Sequence, residues 1–330
     1  MFDECVIRGR RLAPARFCAP LAGYTHSAFR RLLAELGGCG AVWTEMLATR
    51  QILNENFDTS PWLRRRPGQP LTVFQLMVGA GDPLENVLDR LGERGVEAID
   101  LNLACDALTA RAHSAGSALF DNLDALDNVA RRARQQWPGW LSAKIRLGGR
   151  RPDWQPRFAE RLRRLEDAGV DVVTLHPRFF EDKFKRRALH EHLPWATSLT
   201  RLPFIANGDL DGPVGVRAQA RHLAPACAVM LGRLAVARPW IFATWDGPAV
   251  VDLLEIWLKM FQYIAEDFPE PTALRRIQMF TKYFAANFAF GHQFRVAISN
   301  AQTLDEVRDR GQAFLAQSPR RLAAPSVSGL

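Results

Sequence analysis

Several features that this chain lacks narrow its class before any motif is read. No apolar run reaches about 18 residues, the length of a membrane-spanning helix. The amino terminus, MFDECVIRGRRL, has no apolar centre of the kind a secretory signal carries. A cytoplasmic protein without membrane contact is therefore expected. The five cysteines (Cys5, Cys18, Cys39, Cys105, Cys227) contain no Cys-x-x-Cys pair. Neither a disulfide framework nor a zinc site fits that scatter, and no metal is expected. No Gly-x-Gly-x-x-Gly follows the first strand candidate, which ranks a doubly wound dinucleotide fold below a closed barrel. Repeats at a solenoid period and low-complexity tracts are also missing. Acidic excess is absent too: 43 Lys and Arg face 35 Asp and Glu, a net charge of +8, which suits a polyanionic partner.

What is present is an ordinary globular balance, 48% hydrophobic and 24% charged over 330 residues. Short apolar runs ending in small or polar residues recur through the first ~240 residues. They are RFCAPLAG from Arg16, AVWTEML from Ala41, LTVFQLMV from Leu71, AIDLNLAC from Ala98, LSAKIRLG from Leu141, VDVVTLHP from Val170, PFIANGD from Pro203 and CAVMLGR from Cys227. Most are followed by a stretch of helical periodicity, such as SAFRRLLAEL, PLENVLDRLGERG, LDALDNVARRARQQW and WQPRFAERLRRLEDAG. Eight strand-then-helix units predict an α/β fold, a (β/α)8 TIM barrel, because parallel strands require such crossovers. From about Trp245 the strand signals stop. Amphipathic stretches VVDLLEIWLKMFQYIAEDF, TALRRIQMFTKYFAANFAF and TLDEVRDRGQAFLAQ predict a small C-terminal helical domain. The expected division is a barrel over 1–245, a helical domain over 246–318 and a loose tail over 319–330.

In such a barrel the carboxyl ends of the strands face the active site. Here they carry Pro20-Leu21-Ala22, Glu45, Gln75, Asn102 and Cys105, Lys144 and Arg146, His176 and Arg178, Asn207-Gly208-Asp209, and Gly232-Arg233. Each alone reads as a strand-end anchor; the collection reads as a site. IANGD and MLGR are the sharpest pair. Their glycines let backbone N–H groups approach an anion that Arg233 neutralises, and barrels place phosphate in the loops after strands seven and eight. Lys144 on a buried strand is costly unless an anion faces it. His176 is either a core imidazole or, beside Arg178, part of the site. Gln75 offers the donor and acceptor that a ring edge needs.

Taken in order, CAPLAGYTHSAFR, TEM, VFQLMVGAGDP, IDLNLAC, AGSALF, AKIRLG, TLHPR, PFIANGD and VMLGRLAVARPWIF resemble the tRNA-dihydrouridine synthase family over nearly the whole chain, and LRRIQMFTKYF and FRVAISNAQTLDEV resemble its RNA-binding helical domain. The resemblance implies FMN in the barrel, NADPH as reductant and a tRNA uridine as substrate, in a monomeric enzyme. It places Pro20, Leu21, Ala22, Gln75, Lys144, His176, Asn207, Gly208, Asp209, Gly232 and Arg233 on the flavin. Cys105 falls on the catalytic cysteine, and Asn102, Arg111, Arg146, Arg178, Arg275 and Arg276 on the RNA side. Hydride from the reduced flavin would reach uracil C6, and the thiol would protonate C5. The base must leave the tRNA stack to get there. Arg64–Arg66, Arg131-Arg132, Arg163-Arg164 and Lys185–Arg187 are further phosphate-binding candidates, although a solvated helix face is the commoner role of such clusters.

The chain departs from the family pattern at the thiol. Ala104 and Asp106 stand where the family has Gly and Pro, and Pro177 stands for a Gly. Asp106 is expected to raise the thiol pKa and repel RNA phosphate. Two other functions therefore stay open: FMN-dependent reduction of a small unsaturated carbonyl compound, and RNA binding without synthase activity.

Overall fold

The computed structural model describes residues 1–183, 185–247 and 249–327. Eleven strands occur among them: β1 (Cys5–Ile7), β2 (Arg10–Leu12), β3 (Arg16–Cys18), β4 (Ala41–Trp43), β5 (Leu47–Ala48), β6 (Leu71–Met77), β7 (Ala98–Asn102), β8 (Trp140–Ile145), β9 (Val172–Leu175), β10 (Phe204–Asn207) and β11 (Ala228–Leu231). Strands β3, β4, β6, β7, β8, β9, β10 and β11 pair in parallel in that order. The β11–β3 and β4–β6 pairings close the ring. The expected (β/α)8 barrel is present, each of its strands falling in one of the eight apolar runs, with β8 starting one residue early at Trp140. Two small pieces were not foreseen. The antiparallel β1–β2 hairpin pairs Cys5 with Leu12, and β5 extends the edge of β6 by pairing Leu47 with Leu76.

Side-chain alternation explains why the strands read as continuous apolar runs. One face of each strand packs under the outer helices: Phe74 and Leu76 on β6, Ile99 and Leu101 on β7, Leu141, Ala143 and Ile145 on β8. The other face fills the barrel with a separate cluster: Phe17, Trp43, Val73, Ala98, Trp140, Val172, Ile205 and Met230, joined by Cys5, Ile7 and Leu12 from the hairpin. The hairpin therefore caps the amino-terminal end of the barrel. Toward the carboxyl ends the same inward positions turn polar. Gln75, Asp100, Ser142 and Thr174 come first, then Asn102, Lys144, His176 and Asn207, all buried. A buried polar layer is costly unless its groups pair with one another or with a ligand.

Helices at 253–267, 270–284, 291–299 and 304–316 form the carboxyl-terminal unit. Asp252 caps the first, its side chain accepting from the N–H groups of Leu254 and Glu255. Thr303 caps the last, where Glu306 returns a bond to the N–H of Gln302. The helix over 253–267 packs on the barrel helix over 27–36, and the helix over 270–284 packs on 233–237. Asp267 fastens the junction from a fully buried side chain, accepting from Arg64 Nη1 at 2.9 Å, from Arg66 and from the Ser27 hydroxyl. The stretch expected to be a loose tail is tied down where described. Leu322 N donates to Asn287 O at 2.7 Å, Ala289 N donates to Arg320 O at 3.0 Å, and Arg238 donates to the carbonyls of Leu322 and Ala323. Backbone partners on the helical unit explain this, and composition does not reveal them. Residues 328–330 of that tail lie outside the described residues.

Candidate active site

The mouth of the barrel gathers the strand-end residues into three groups. The first is a buried chain of side chains rooted in β7. Asp100, with no exposed surface, accepts from Gln75 Nε2 at 2.7 Å and from Ser142 Oγ at 2.6 Å. Gln75 Oε1 in turn accepts from Asn102 Nδ2 at 2.8 Å. Asn102 Oδ1 accepts from the backbone N–H groups of Ala104 at 3.1 Å and Cys105 at 3.0 Å. Both ends of the Gln75 amide are therefore engaged inside the protein. Burial pushes the Asp100 carboxyl up to about 6, against the bonds from Gln75 and Ser142 and the charge of Lys144.

The second group is the thiol loop. Cys105 is half-buried at the mouth, whereas Cys5, Cys18 and Cys39 are buried and Cys227 precedes β11. Its carbonyl accepts from Ser117 N at 2.8 Å. Gly116 makes that turn possible at φ +60°, since a Cβ there would lie 2.4 Å from the Cys105 carbonyl oxygen. Asp106, the residue after the thiol, is anchored. Ser117 Oγ donates to it at 2.8 Å, and Arg111 lies 3.6 Å away. Its charge is thus partly met within the loop.

The third group is cationic. Lys144 projects from β8, and its ammonium makes no hydrogen bond among the described residues. Burial and the neighbouring Arg146 push its pKa down to about 8, with Asp100 opposing. Arg146 is buried too, facing Arg178, Asp106 and Cys105. Asp209, at φ +45°, bridges Arg178 and Arg233; it accepts from Arg233 at 2.9 Å and from Ala188 N at 2.9 Å. Arg178 also lies 3.2 Å from His176 Nε2. Burial and then the cations Lys144, Arg146 and Arg178 hold the His176 imidazole neutral. Gly208 passes so close to His176, at φ +104°, that a Cβ would sit 2.5 Å from its Cδ2. Asn207 Nδ2 donates to Met230 O at 2.8 Å. The loop of Pro20, Leu21 and Ala22 folds over itself through Thr25 and lies at the rim. Gly232 starts the short helix over 233–237, and its glycine is not demanded by packing.

These groups fit a bound flavin phosphate and ring. Lys144 is a buried cation that makes no hydrogen bond among the described residues, and Arg146, Arg178 and Arg233 bring further positive charge to the mouth. Gly208 keeps backbone where a side chain would intrude. Asp209 acts as a brace, its charge shared between two guanidinium groups.

The RNA-side expectations divide. Asn102 is spent on the thiol loop. Arg178 is buried in the brace. Arg276 turns into the barrel interface, 3.5 Å from Glu45 and over the Phe268 ring. Arg275 is exposed on the same helix. Several cationic clusters are already committed: Arg131 to Asp127, Arg132 to Glu85, and Arg163 and Arg164 to Glu160. Sequence reasoning missed Asp100 and Ser142. Their signal was a polar residue inside an otherwise apolar run.

Among the described residues no helix is long and apolar enough to cross a membrane, and no group of three or more His, Cys, Asp or Glu side chains could hold a metal. In solved structures, the old yellow enzyme homologue of Zymomonas mobilis matches at a TM-score of 0.52 and 14% identity, over 78% of this chain and 95% of that one. The old yellow enzyme of Trypanosoma cruzi matches at 0.53 and 10%, over 76% and 93%. These likenesses are of fold. In sequence, a probable tRNA-dihydrouridine synthase of Helicobacter pylori J99 is 28% identical over 311 residues, 90% of each chain. The tRNA-dihydrouridine synthase B of Escherichia coli K12 is 31% identical over 229 residues, 68% of each. The family model described as dihydrouridine synthase matches residues 17–318. With nearly the full length matched and a cation-lined barrel mouth behind it, the chain belongs to the dihydrouridine synthase family of flavin-dependent oxidoreductases.

Proposed function

We propose that the protein reduces the C5=C6 bond of a uridine in tRNA to dihydrouridine, with FMN as its flavin and NADPH as reductant. The observation that carries the reading is the placement of one half-buried thiol, Cys105, on the loop after β7 and facing the buried Arg146, at a mouth where the buried Lys144 makes no hydrogen bond among the described residues. The tRNA substrate is supported by the names of the relatives above and by the net charge of +8.

Bound flavin would supply the hydride. Lys144 would hold the anionic edge of the ring. Arg233, the Gly208 and Gly232 backbone and Asn207 would hold its phosphate side, with His176 neutral against it and Pro20, Leu21 and Ala22 at the rim. Asp209 would orient Arg178 and Arg233 rather than touch a phosphate. The thiol of Cys105 is the proton donor to uracil C5, and Arg146 faces it from β8. The uridine has to be extruded from the tRNA, since the thiol lies inside the mouth. Arg111 and the exposed Arg275 are the cations this reading leaves for RNA phosphate. The barrel and the helical unit from 246 onward act as catalytic and RNA-binding parts.

The test is a single turnover. The protein is loaded with FMN, reduced with NADPH, and mixed with tRNA transcribed without modifications. Flavin oxidation coupled to an equivalent gain of dihydrouridine in the RNA is expected. Oxidation by an unsaturated carbonyl compound but not by tRNA would move the assignment to small-molecule reduction.

A further inference from the structure

Amide side chains are ambiguous in a hydrogen-bond chain, since each presents a donor and an acceptor and can turn over. The direction of a chain built from them must be set by groups that cannot exchange roles. The buried chain beneath the thiol has two amides, Gln75 and Asn102. At its inner end stands an ionised carboxylate, which only accepts. At its outer end stand the N–H groups of Ala104 and Cys105, which only donate. The two ends agree, and every link between them is satisfied. The inner end is the fixed one: Asp100 is fully buried in β7 and held from β8 by Ser142. The outer end is loop, tied at Leu103 N by a bond to Lys144 O, at the Cys105 carbonyl by Ser117 N, and at the Ala104 and Cys105 N–H groups through Asn102.

We infer that Asp100 is a positioning residue for Cys105: as the acceptor-only end of the Asp100–Gln75–Asn102 chain, it fixes the direction of both amides and thereby anchors the backbone that carries the thiol. Without that acceptor, Gln75 Nε2 is left buried and unpaired, which is expensive. Gln75 turned over would leave its Oε1 unpaired at the same place, so neither orientation of the amide is satisfied and Gln75 no longer holds Asn102 in one state. Asn102 Oδ1 can then turn from the loop, and the N–H groups of Ala104 and Cys105 lose a fixed partner. Nothing in this account requires Asp100 to touch flavin or uridine. The inference rests on the reading of Cys105 as the proton donor, so its test includes a measurement that needs no RNA.

The experiment compares Asp100→Leu with Asp100→Asn in flavin-loaded protein. Leucine removes the acceptor. Asparagine keeps one oxygen for Gln75 and can donate its amide to Ser142 Oγ, whose proton then goes to Ile99 O, 3.2 Å away. For Asp100→Leu the expected result is a loss of about 10-fold or more in the kcat of uridine-dependent flavin oxidation, with KM within about twofold, as befits loss of a charge-assisted bond to a positioned group. The rate of Cys105 carboxamidomethylation by iodoacetamide should change in parallel. Asp100→Asn should stay within about threefold of wild type on both readouts. Asp100→Val is the second variant should leucine not fold; it too presents no acceptor to Gln75 Nε2, so the same loss is expected.

The inference is overturned if a folded, flavin-loaded Asp100→Leu or Asp100→Val matches wild type on both readouts. It is also overturned if Asp100→Asn is as slow as Asp100→Leu, which would assign the effect to the charge facing Lys144. Wild type that is inert toward tRNA would sink the functional reading alone, because the alkylation rates would still report on Asp100.

Discussion

Replacing Asp267 with alanine should uncouple the helical unit from the barrel. Its carboxylate has no exposed surface and takes bonds from Arg64, Arg66 and Ser27. It sits at the carboxyl-terminal end of its helix, where the helix dipole disfavours an anion; the two guanidinium groups have to outweigh that. Removing one partner of a buried pair costs about 3–5 kcal/mol. Arg64 and Arg66 are each about a quarter exposed and can turn to water, so the lower end, about 3 kcal/mol, applies. Unfolding entropy of about 2.1 cal/mol/K per residue gives about 0.7 kcal/mol/K for a chain of this length, and hence a Tm lowered by about 4 °C. Calorimetry at neutral pH measures it, and limited proteolysis near residue 247 should accelerate as docking weakens. The shift should persist in high salt, because a buried pair is little screened. A Tm within about 1 °C of wild type would refute the reasoning that this carboxylate holds the two units together.

Other expectations follow from the mouth and the helical unit. Cys105→Ala should leave flavin reduction by NADPH nearly unchanged and slow the uridine half-reaction by about 10²- to 10⁴-fold in stopped-flow measurements. The Lys144 pKa is lowered to about 8, so its charge is present below that pH and lost above it. FMN affinity, followed by fluorescence quenching, should therefore weaken between about pH 7 and 9, and Lys144→Met should bind weakly with a flat profile. Arg275→Ala should weaken tRNA binding and reduce its salt slope by about 0.9 for each phosphate that the arginine had neutralised. Arg276→Ala should instead lower Tm, since its partner is Glu45 within the protein; a reduced salt slope in Arg276→Ala at unchanged Tm would reverse that assignment.

The barrel was legible because its strands are buried on both faces and so appear as unbroken apolar runs. The short hairpin at Cys5–Leu12 was not. Two three-residue strands, CVI and RRL, turning at Arg8 and Gly9 with positive φ, carry too little periodicity to register. The helix over 291–299 was hidden for a similar reason: its exposed Val296 and buried Gly291 blur the apolar stripe. The strand-end residues could be named from sequence, because position along a barrel strand fixes which side chains converge. Their partners could not. Asp209 pairs with Arg178 and Arg233, and Arg276 with Glu45, and none of these pairings has a signal at the residue itself.

The hairpin at the foot of the barrel has a kinetic consequence. With Cys5, Ile7 and Leu12 packed into the amino-terminal end, the lumen has a floor, and the strand ends open on one side. Under the proposed function, reductant and RNA must then enter by the same door. They exclude one another, so nicotinamide has to depart before the nucleotide arrives. Initial-rate plots should show parallel lines, each substrate should inhibit competitively against the other at high concentration, and the reduced enzyme should persist as an isolable waiting state between the two visits.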